Sequence, residues 1–302
     1  IKNHKRLPAN WWSDNNTTHF TLPYVSSARF ARTIKRSNVS IIKNGCIYPY
    51  HARRNNSAFP TEINLDNDFG FIIGIYLSEG HATKYTVSIT NNDNDILKRV
   101  GNWFTKFNIK HTTTKRTQKY GTSTSIIGNS LFLAQLLIKL VGSGSKNKFI
   151  NPLFYFAQDN FIKGLIDGYY SGDGTVSKNS VDVSSASYKL IEGISMLLTR
   201  FGIYSKMSRS ILKSNNFGTI DIAPINRLFV RSMFVRKFSN IFTLTQSDKQ
   251  TKLNKLKRSK TLLKHSGRTT RMANKGIQNE EIVLNANIIF TFPPNQKLIN
   301  AL

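Results

Sequence analysis

A gapless internal repeat is the feature that most restricts the fold of this 302-residue chain. Residues 94 positions apart keep matching, so that Gly74 corresponds to Gly168 and the acid Glu79 to Asp173 (173 − 79 = 94). A tandem repeat at one offset predicts two copies of one supersecondary unit, and two copies in one chain imitate a symmetric dimer. Further matches in this register are Ile72 with Ile166, Tyr76 with Tyr170, Gly80 with Gly174, Lys84 with Lys178, Thr105 with Thr199, Lys119 with Lys213 and Ile126 with Ile220.

The spacing of apolar residues predicts the elements of each copy. Residues 96–107 carry apolar side chains at helical spacing, and residues 190–201 repeat the pattern. Alternating stretches precede these helices at 85–90 and 180–184, and stretches rich in Thr, Ser and Ile follow at 112–127 and 205–222, where we expect strand pairs. The predicted fold is α+β, with two pseudo-twofold-related αββαββα half-domains, residues 61–155 and 156–260, packed through their opening helices. Basic segments, residues 1–60 and 261–302, flank them.

Each opening helix is predicted to end in a small residue, an acid and a glycine. Gly74 and Gly168 lack side chains and should let the two helix backbones approach closely, whereas Gly80 and Gly174 should stop each helix in a left-handed turn. A carboxylate at a helix C-terminus opposes the helix dipole, so a positive group, such as a divalent cation, is expected beside it.

The charge of the chain predicts a polyanionic partner. With 43 Lys and Arg against 16 Asp and Glu, the net charge is +27. Nucleic acid is the first expectation, because cations placed at phosphates release counterions, while an anionic membrane surface and a ribosomal role stay open. No apolar run approaches the roughly 18 residues of a membrane span, so we expect a soluble, intracellular protein and take nucleic acid, not a membrane, as the predicted partner. The single cysteine, Cys46, excludes an internal disulfide and a Cys-rich zinc site.

The two acidic motifs, Phe71 to Gly80 and Ile166 to Gly174, resemble those of the LAGLIDADG, or dodecapeptide, homing endonucleases, over about residues 61–260. The resemblance implies a monomer that cuts double-stranded DNA at a long asymmetric site with Mg²⁺, for which Mn²⁺ substitutes. It implies Glu79 and Asp173 as catalytic metal ligands, with Ser78 and Gly172 beside them. Glu79 departs from the commoner Asp by one methylene, which changes the metal geometry there.

The resemblance also implies one catalytic lysine in each half. We assign Lys146 and Lys249, with Lys148 and Lys252 as alternatives. Asp167 is expected to be a polar group at a helix surface or interface. Exposed cations in the predicted strands and in the N-terminal segment are expected to contact DNA: Lys84, Lys115, Arg116, Lys119, Lys178, Lys206, Arg209, Lys213, Arg29, Arg32, Arg53 and Arg54.

Two alternatives on the same fold remain: a DNA-binding protein without cleavage, and an RNA maturase-like splicing cofactor. The segment that leads into the first motif looks like the endonuclease part of an intein, and residues 279–289 resemble a strand of an intein splicing domain. Ile1 and Leu302 stand where splicing needs Cys or Ser and Asn, so we do not expect the chain as given to splice itself.

Overall fold

The computed structural model describes residues 6–7, 40–43, 46–49, 59–60, 63–118, 121–212, 223–231 and 233–258. All of them belong to the first of two units, Ile1–Arg258. The second unit, Ser259–Leu302, contains the predicted C-terminal extension and lies outside the described residues. Six of the predicted DNA-contacting residues also lie outside them: Arg29, Arg32, Arg53, Arg54, Lys119 and Lys213.

Among the described residues, short strands precede the repeat: β1 (Arg6–Leu7), β2 (Ser40–Lys43), β3 (Cys46–Pro49), β4 (Phe59–Pro60) and β5 (Ile63–Asn64). β2, β3 and β4 form one antiparallel sheet, and β1 pairs with β5. Phe59 on β4 is buried against Phe107 and Phe132, with ring centroids 6.2 and 6.4 Å away. The core of the first half therefore includes a residue from this leading segment.

The first half contains α1 (Asn67–Glu79), β6 (Gly80–Ala82), β7 (Thr86–Thr90), α2 (Asn94–Lys106), β8 (Lys110–Gln118), β9 (Gly121–Asn129) and α3 (Leu131–Val141). After a 3₁₀ helix, Pro152–Phe156, the second half contains α4 (Asp159–Asp173), β10 (Thr175–Val176), β11 (Ser180–Ser185), α5 (Tyr188–Arg200), β12 (Lys206–Leu212), β13 (Ala223–Arg231) and α6 (Met233–Ile241). A further helix, α7 (Ser247–Arg258), follows. The predicted α+β fold, with αββαββα order in each half, is confirmed. Within the described residues, no helix has both the length and the apolar character that a membrane span requires.

Each half folds one antiparallel sheet over its helices. The strand orders are β6-β7-β9-β8 and β10-β11-β13-β12, so the two sheets share one topology. On β7 the buried Val87 and Ile89 alternate with half-buried Thr86 and Ser88, which places one face of the sheet on the core. The described residues on the other face of each sheet are half-buried or exposed, and this face is called the open face below.

The constant offset of 94 ends inside the hairpin that closes each sheet. Val87 on β7 lies opposite Gly128, whereas its counterpart Val181 on β11 lies opposite Val230, so the last strands are 102 residues apart (230 − 128 = 102). The predicted match of Ile126 with Ile220 was therefore wrong. The predicted strand pair within 205–222 was also wrong for its second strand, because β13 begins at Ala223. The longer second hairpin adds an even number of residues, which keeps the buried and open faces unchanged.

The halves meet where α1 packs against α4. A β-carbon at Gly74 would overlap the carbonyl oxygen of Leu165, and one at Gly168 would overlap the carbonyl oxygen of Phe71. Gly70 and Gly164 are in the same situation. The predicted close approach of the two helix backbones is confirmed, and it requires glycine because the opposing atoms belong to the main chain, which cannot move aside.

The glycines that follow the two acids do not adopt the predicted left-handed backbone conformation. Gly80 has φ −88° and Gly174 has φ −69°, so neither helix ends in a left-handed turn. A β-carbon at either position would instead collide with the backbone of the tyrosine four residues earlier, Tyr76 or Tyr170. The predicted left-handed turn was wrong, and glycine is required here because the departing chain folds tightly against the last helical turn.

Candidate active site

The two acids lie together at the ends of the packed helices. Glu79 and Asp173 are the last residues of α1 and α4, and a β-carbon added to Gly172 would lie 3.0 Å from Cγ of Glu79. Asn91 donates from Nδ2 to Oε1 of Glu79 at 3.3 Å. The close packing of the helices therefore brings one carboxylate from each half to a shared site.

Burial raises the pKa of both acids. For Glu79 the desolvation is reinforced by the negative charge of Asp173, and it is opposed by Lys249, Lys148 and the Asn91 hydrogen bond. Solvent reaches part of Asp173, yet the surrounding protein still desolvates its carboxyl and raises the pKa, against the attraction of Lys148 and Lys249. The mutual repulsion of the acids makes this a favourable place for a cation.

A lysine lies over the end of each acidic helix. Nζ of Lys148 donates to the carbonyl oxygens of Tyr76, Leu77 and Gly80 at 2.7, 3.1 and 2.8 Å. The last turn of a helix leaves carbonyls without intrahelical donors, and a cation there is also favoured by the helix dipole. Desolvation lowers the pKa of Lys148 to about 8, although Asp173 and Glu79 counteract this effect.

Lys249 occupies the equivalent place in the second half. Its Nζ donates to the carbonyl oxygens of Tyr170, Ser171 and Gly172 at 3.2, 2.7 and 2.6 Å. Desolvation lowers its pKa, opposed mainly by Asp173 and Glu79. Each half thus contributes one acid and one lysine to the site.

The other residues that the sequence assigned to the site do not all reach it. Lys146 is exposed in the turn after α3, and the lysine that reaches the site is Lys148, our alternative. Lys252 is exposed on α7. The Gly172 carbonyl accepts a hydrogen bond from Lys249, and the Ser78 hydroxyl donates back to Gly74 and Ile75 of its own helix.

Asp167 lies at the interface between the halves. Its side chain is 6% exposed, and Oδ2 accepts from Nη1 of Arg99 at 2.6 Å. Arg99 belongs to α2 of the first half, and its Nη2 donates to Oδ1 of Asn67 at 2.6 Å. The same carboxylate accepts from the main-chain N–H and the hydroxyl of Thr245 at 2.6 and 2.7 Å. Sequence analysis anticipated a polar interface group but not these partners.

The remaining predicted DNA-contacting residues within the described chain are all exposed, but they divide between the two faces of the sheets. Arg116 lies opposite Ser123 and Lys206 opposite Phe229, on the open faces. Lys115 lies opposite the buried Thr124, on the helix-covered face. Lys84 and Lys178 are exposed in the turns between the first two strands of each sheet, and Arg209 lies opposite buried Asn226.

Two further arginines on the open face of the second sheet were not among the predicted DNA-contacting residues. Arg227 and Arg231 are exposed and alternate with the buried Leu228 and Val230 on β13, with Phe229 between them on the open face. The guanidinium of Arg231 lies 4.6 Å from the centre of the Phe229 ring. The alternation of apolar and basic residues over 225–231 was the available signal, and the assumed register of the hairpin obscured it.

Comparison with known proteins gives the family of this chain. The family model for a LAGLIDADG-like domain matches residues 66–143 and again residues 160–242, which together make up more than half of the 302 residues. The chain belongs to the LAGLIDADG family. The two matched ranges coincide with the two halves of the fold, and each contains one acid of the site. The suggested membership in this family is thereby confirmed.

Relatives of this LAGLIDADG protein include segments of much longer proteins. DNA-directed RNA polymerase subunit Rpo1C of Methanocaldococcus jannaschii is 33% identical over 204 residues, covering 67% of this chain and 22% of that protein. The Replication factor C small subunit of the same organism is 26% identical over 157 residues, 51% of this chain and 8% of that protein. A crystal structure of I-DmoI in complex with DNA and Mn aligns with TM-score 0.45 and 14% identity, covering 59% of this chain and 97% of that one.

Proposed function

We propose that this LAGLIDADG protein is a site-specific endonuclease that hydrolyses both strands of a DNA duplex. The observation that carries the proposal is the paired arrangement at the ends of α1 and α4. The glycine-lined contact between these two helices is called the helix seam, and on each side of it one acid and one lysine lie at a helix end, Glu79 with Lys148 and Asp173 with Lys249. Two copies of one site related by a pseudo-twofold axis match the two antiparallel strands of a duplex. One chain provides both copies, so the proposed active form is a monomer.

The acids fit a divalent cation. Mg²⁺ prefers oxygen ligands and is often held by one or two carboxylates together with water and substrate phosphates. Glu79 and Asp173 offer two carboxylates whose pKa values are raised by desolvation in one shared site, where a cation would offset the repulsion between them. A bound Mg²⁺ or Mn²⁺ would supply Lewis acidity and neutralise charge that develops on the phosphate. Lys148 and Lys249 hold positive charge beside the acids and keep the helix ends in place.

The open faces of the two sheets are the proposed DNA-binding surface. Arg116 on the first sheet, and Lys206, Arg227 and Arg231 on the second, are exposed cations on these faces. Strands that enter the major groove can read base edges with such side chains while other cations contact phosphates. Since the two faces carry different residues, the proposed target is long and asymmetric.

The relatives support an origin of this chain as an inserted genetic element. A polymerase subunit, a replication factor and an initiation factor have different activities, yet each matches this chain over 22% of its length or less. A shared segment in otherwise different proteins is what an inserted element produces. We therefore propose that the chain is the endonuclease part of an intein, a proposal that sequence flanking it in its gene would test.

The decisive experiment separates binding from cleavage. Random duplexes are selected by repeated binding to the protein in Ca²⁺, which accepts more ligands at longer distances than Mg²⁺ and should support binding alone. The enriched duplexes are then moved into Mg²⁺, and the cut ends are sequenced. We expect discrete cut positions on both strands with the natural protein and intact duplexes with the Asp173→Asn protein.

Two results would favour the alternatives. Enriched duplexes that stay uncut by the natural protein in both Mg²⁺ and Mn²⁺ would indicate a DNA-binding protein without cleavage. Tighter binding to structured RNA than to any enriched duplex, measured in parallel at equal salt, would instead favour the maturase-like cofactor.

A further inference from the structure

The two lysines are held in place by different contacts in the two halves. In the first half, the Tyr76 hydroxyl on α1 donates to the carbonyl oxygen of Gly142 at 3.0 Å, in the turn that leads to Lys148. Tyr170 is its repeat counterpart on α4, and its buried hydroxyl has no hydrogen-bond partner among the described residues. The anchor that serves Lys148 is therefore missing from the corresponding position beside Lys249.

Asp167 and Ser171 on α4 take over this task in the second half. Their repeat counterparts on α1, Ile73 and Leu77, are buried and apolar and offer no such side-chain hydrogen bonds. The Asp167 carboxylate accepts both donors of Thr245, and the Ser171 hydroxyl accepts from the main-chain N–H of Thr245 at 3.0 Å. Ser171 in turn donates to Oδ1 of Asp167 at 2.8 Å.

The anchored segment leads directly into the helix that carries Lys249. α7 begins at Ser247, two residues beyond Thr245, and Lys249 lies in its first turn. Gln250, also in α7, ties the helix to the segment before Thr245, because its Oε1 accepts from the main-chain N–H of Leu244 at 2.6 Å. A shift of Thr245 would therefore displace the start of α7 and move the Lys249 ammonium away from the carbonyls of α4.

Arg99 connects this anchor to the first half. Its Nη1 donates both to Asp167 and to the Thr245 hydroxyl, at 2.6 and 2.7 Å, so one guanidinium group bridges the two partners. The repeat counterpart of Arg99 is Gly193 (99 + 94 = 193), which has no side chain to make the reciprocal contact. An arginine of the first half therefore supports the anchor of the second half, and position 193 of the second half offers no equivalent side chain to the first.

We infer that Asp167 is a positioning residue that places Lys249 for cleavage of one DNA strand, and that Tyr76 does the same through Gly142 for Lys148 and the other strand. The inference rests on the proposed endonuclease function. It predicts that damage to either anchor affects one strand selectively, because each anchor holds only one of the two lysines.

The test uses the full chain and a duplex obtained by the binding selection, labelled separately on each strand. In Asp167→Asn, an amide nitrogen replaces one carboxylate oxygen and cannot accept from the donors that this oxygen served. In one orientation these are Arg99 and the Thr245 hydroxyl, and in the other the Thr245 N–H and the Ser171 hydroxyl. Because displacement of a catalytic group by about 1 Å can cost up to about a hundredfold in rate, we expect one strand to be cut about tenfold or more slowly while the other changes less than about twofold. Nicked duplex should accumulate.

Tyr76→Phe should produce nicks in the opposite strand. Tyr170→Phe is its matched control, because it keeps the main-chain carbonyl that accepts from Lys249 and removes a hydroxyl that makes no hydrogen bond to the described residues. The ratio of the two strand rates should therefore stay at its natural value. Equal slowing of both strands by Asp167→Asn, or no slowing of either, would overturn the inference.

A second measurement reads the lysine positions without DNA. Reductive methylation followed by mass spectrometry gives the reactivity of each lysine in the folded protein. Asp167→Asn should increase labelling of Lys249 several-fold and leave Lys148 unchanged, and Tyr76→Phe should do the reverse. Unchanged Lys249 labelling would contradict the positioning role.

Two further controls keep the outcomes distinct. If Asp167→Asn does not fold, as judged by thermal unfolding, Thr245→Val removes only the hydroxyl of the anchored residue and should shift strand selectivity in the same direction. If the natural protein cuts neither strand, the proposed function fails, whereas the labelling result still decides whether Asp167 positions Lys249.

Discussion

Lys148 and Lys249 make corresponding contacts on opposite sides of the helix seam, although they are 101 residues apart and not 94 (249 − 148 = 101). Two of the three carbonyl acceptors of each lysine are repeat counterparts, and the third differs. Each ammonium donates to three carbonyls at the end of the helix that carries an acid. The pseudo-symmetry of the site is thus preserved in space although the sequence offset differs. This relationship ties the acids, the lysines and the helix ends into one unit whose parts can be tested separately.

Removal of either acid should abolish cleavage and spare binding. Glu79→Gln and Asp173→Asn each remove one carboxylate of the proposed cation site but no phosphate contact, so DNA affinity should stay within roughly tenfold of the natural value. Affinity is measured in Ca²⁺ by fluorescence anisotropy, and cleavage is measured in Mg²⁺ on the same duplex. A loss of affinity that parallels the loss of cleavage would count against these residues as metal ligands.

Lys148 and Lys146 offer a matched pair of lysines in one turn. Lys148→Met removes three hydrogen bonds to the end of α1 and a positive charge beside the acids, and we expect cleavage to fall by about a hundredfold or more, in the range seen when one electrostatic group of an active site is deleted. Lys146→Met removes an exposed charge and should change the rate less than about threefold, through weaker phosphate attraction only. The opposite ranking would restore our first assignment.

The pKa of Lys148 predicts a pH-dependent contribution to stability. The folded value of about 8 lies below the ordinary 10.5, so between these values the unfolded chain binds more protons and the free energy of unfolding rises with pH. The difference in unfolding free energy between the natural protein and Lys148→Met should therefore rise from about pH 8 to about pH 10.5 and be flat below pH 8. Urea unfolding across this range measures it. A flat difference would show that Lys148 keeps an ordinary pKa, and a difference that falls with pH would show that its pKa is raised.

The glycines of the seam should resist substitution more than glycines elsewhere in the helices. A β-carbon at Gly164 would overlap the Asn67 carbonyl, so Gly164→Ala should destabilise the fold by about 3 kcal/mol or more, beyond the usual range of single substitutions. Gly101→Ala on α2 is the control, because its β-carbon would meet only side-chain atoms, the nearest being the tip of Ile126 at 3.2 Å. Thermal unfolding of both variants should separate them clearly, and equal destabilisation would mean that the helices do not pack this closely.

The salt dependence of binding tests the N-terminal segment. If both open faces and the flanking segments contact DNA, about 8 to 12 phosphates are neutralised, and log K should fall with log salt at a slope of about −7 to −11. Replacing Arg29, Arg32, Arg53 and Arg54 together by Gln should make that slope shallower, by about one for each phosphate that is no longer neutralised. The cut position should not move. An unchanged slope would show that these arginines do not bind the duplex.

The features that sequence analysis predicted correctly depend on local spacing. Gly74 and Gly168 could be assigned to a close helix contact because a glycine amid large apolar residues has few other uses in a helix. Glu79 and Asp173 could be paired because they lie within the gapless part of the repeat. The strand and helix order followed from apolar spacing, which is set by the same burial that forms the core.

The features that could not be predicted from the sequence depend on the conformation of loops and on where long side chains end. The longer second hairpin shifted β13, and a comparison without gaps could not register an insertion at a turn, where added residues disturb no buried contact. Lys146 and Lys148 differ by two positions in an irregular turn, and only the fold of that turn decides which ammonium lies over α1. Gly80 and Gly174 were assigned to the commonest helix ending, whereas their real constraint is the backbone of a preceding tyrosine.

The glycine seam has a consequence for how such a protein can change over generations. The seam glycines of α1 and α4 face main-chain atoms of the other helix, so a bulkier residue on one side cannot be compensated by a smaller one on the other. The seam must therefore be inherited almost unaltered. The open faces are under no such restriction, because their side chains face away from the helices that form the core. A lineage can exchange the exposed residues on the open face of one half while the junction between the halves stays the same.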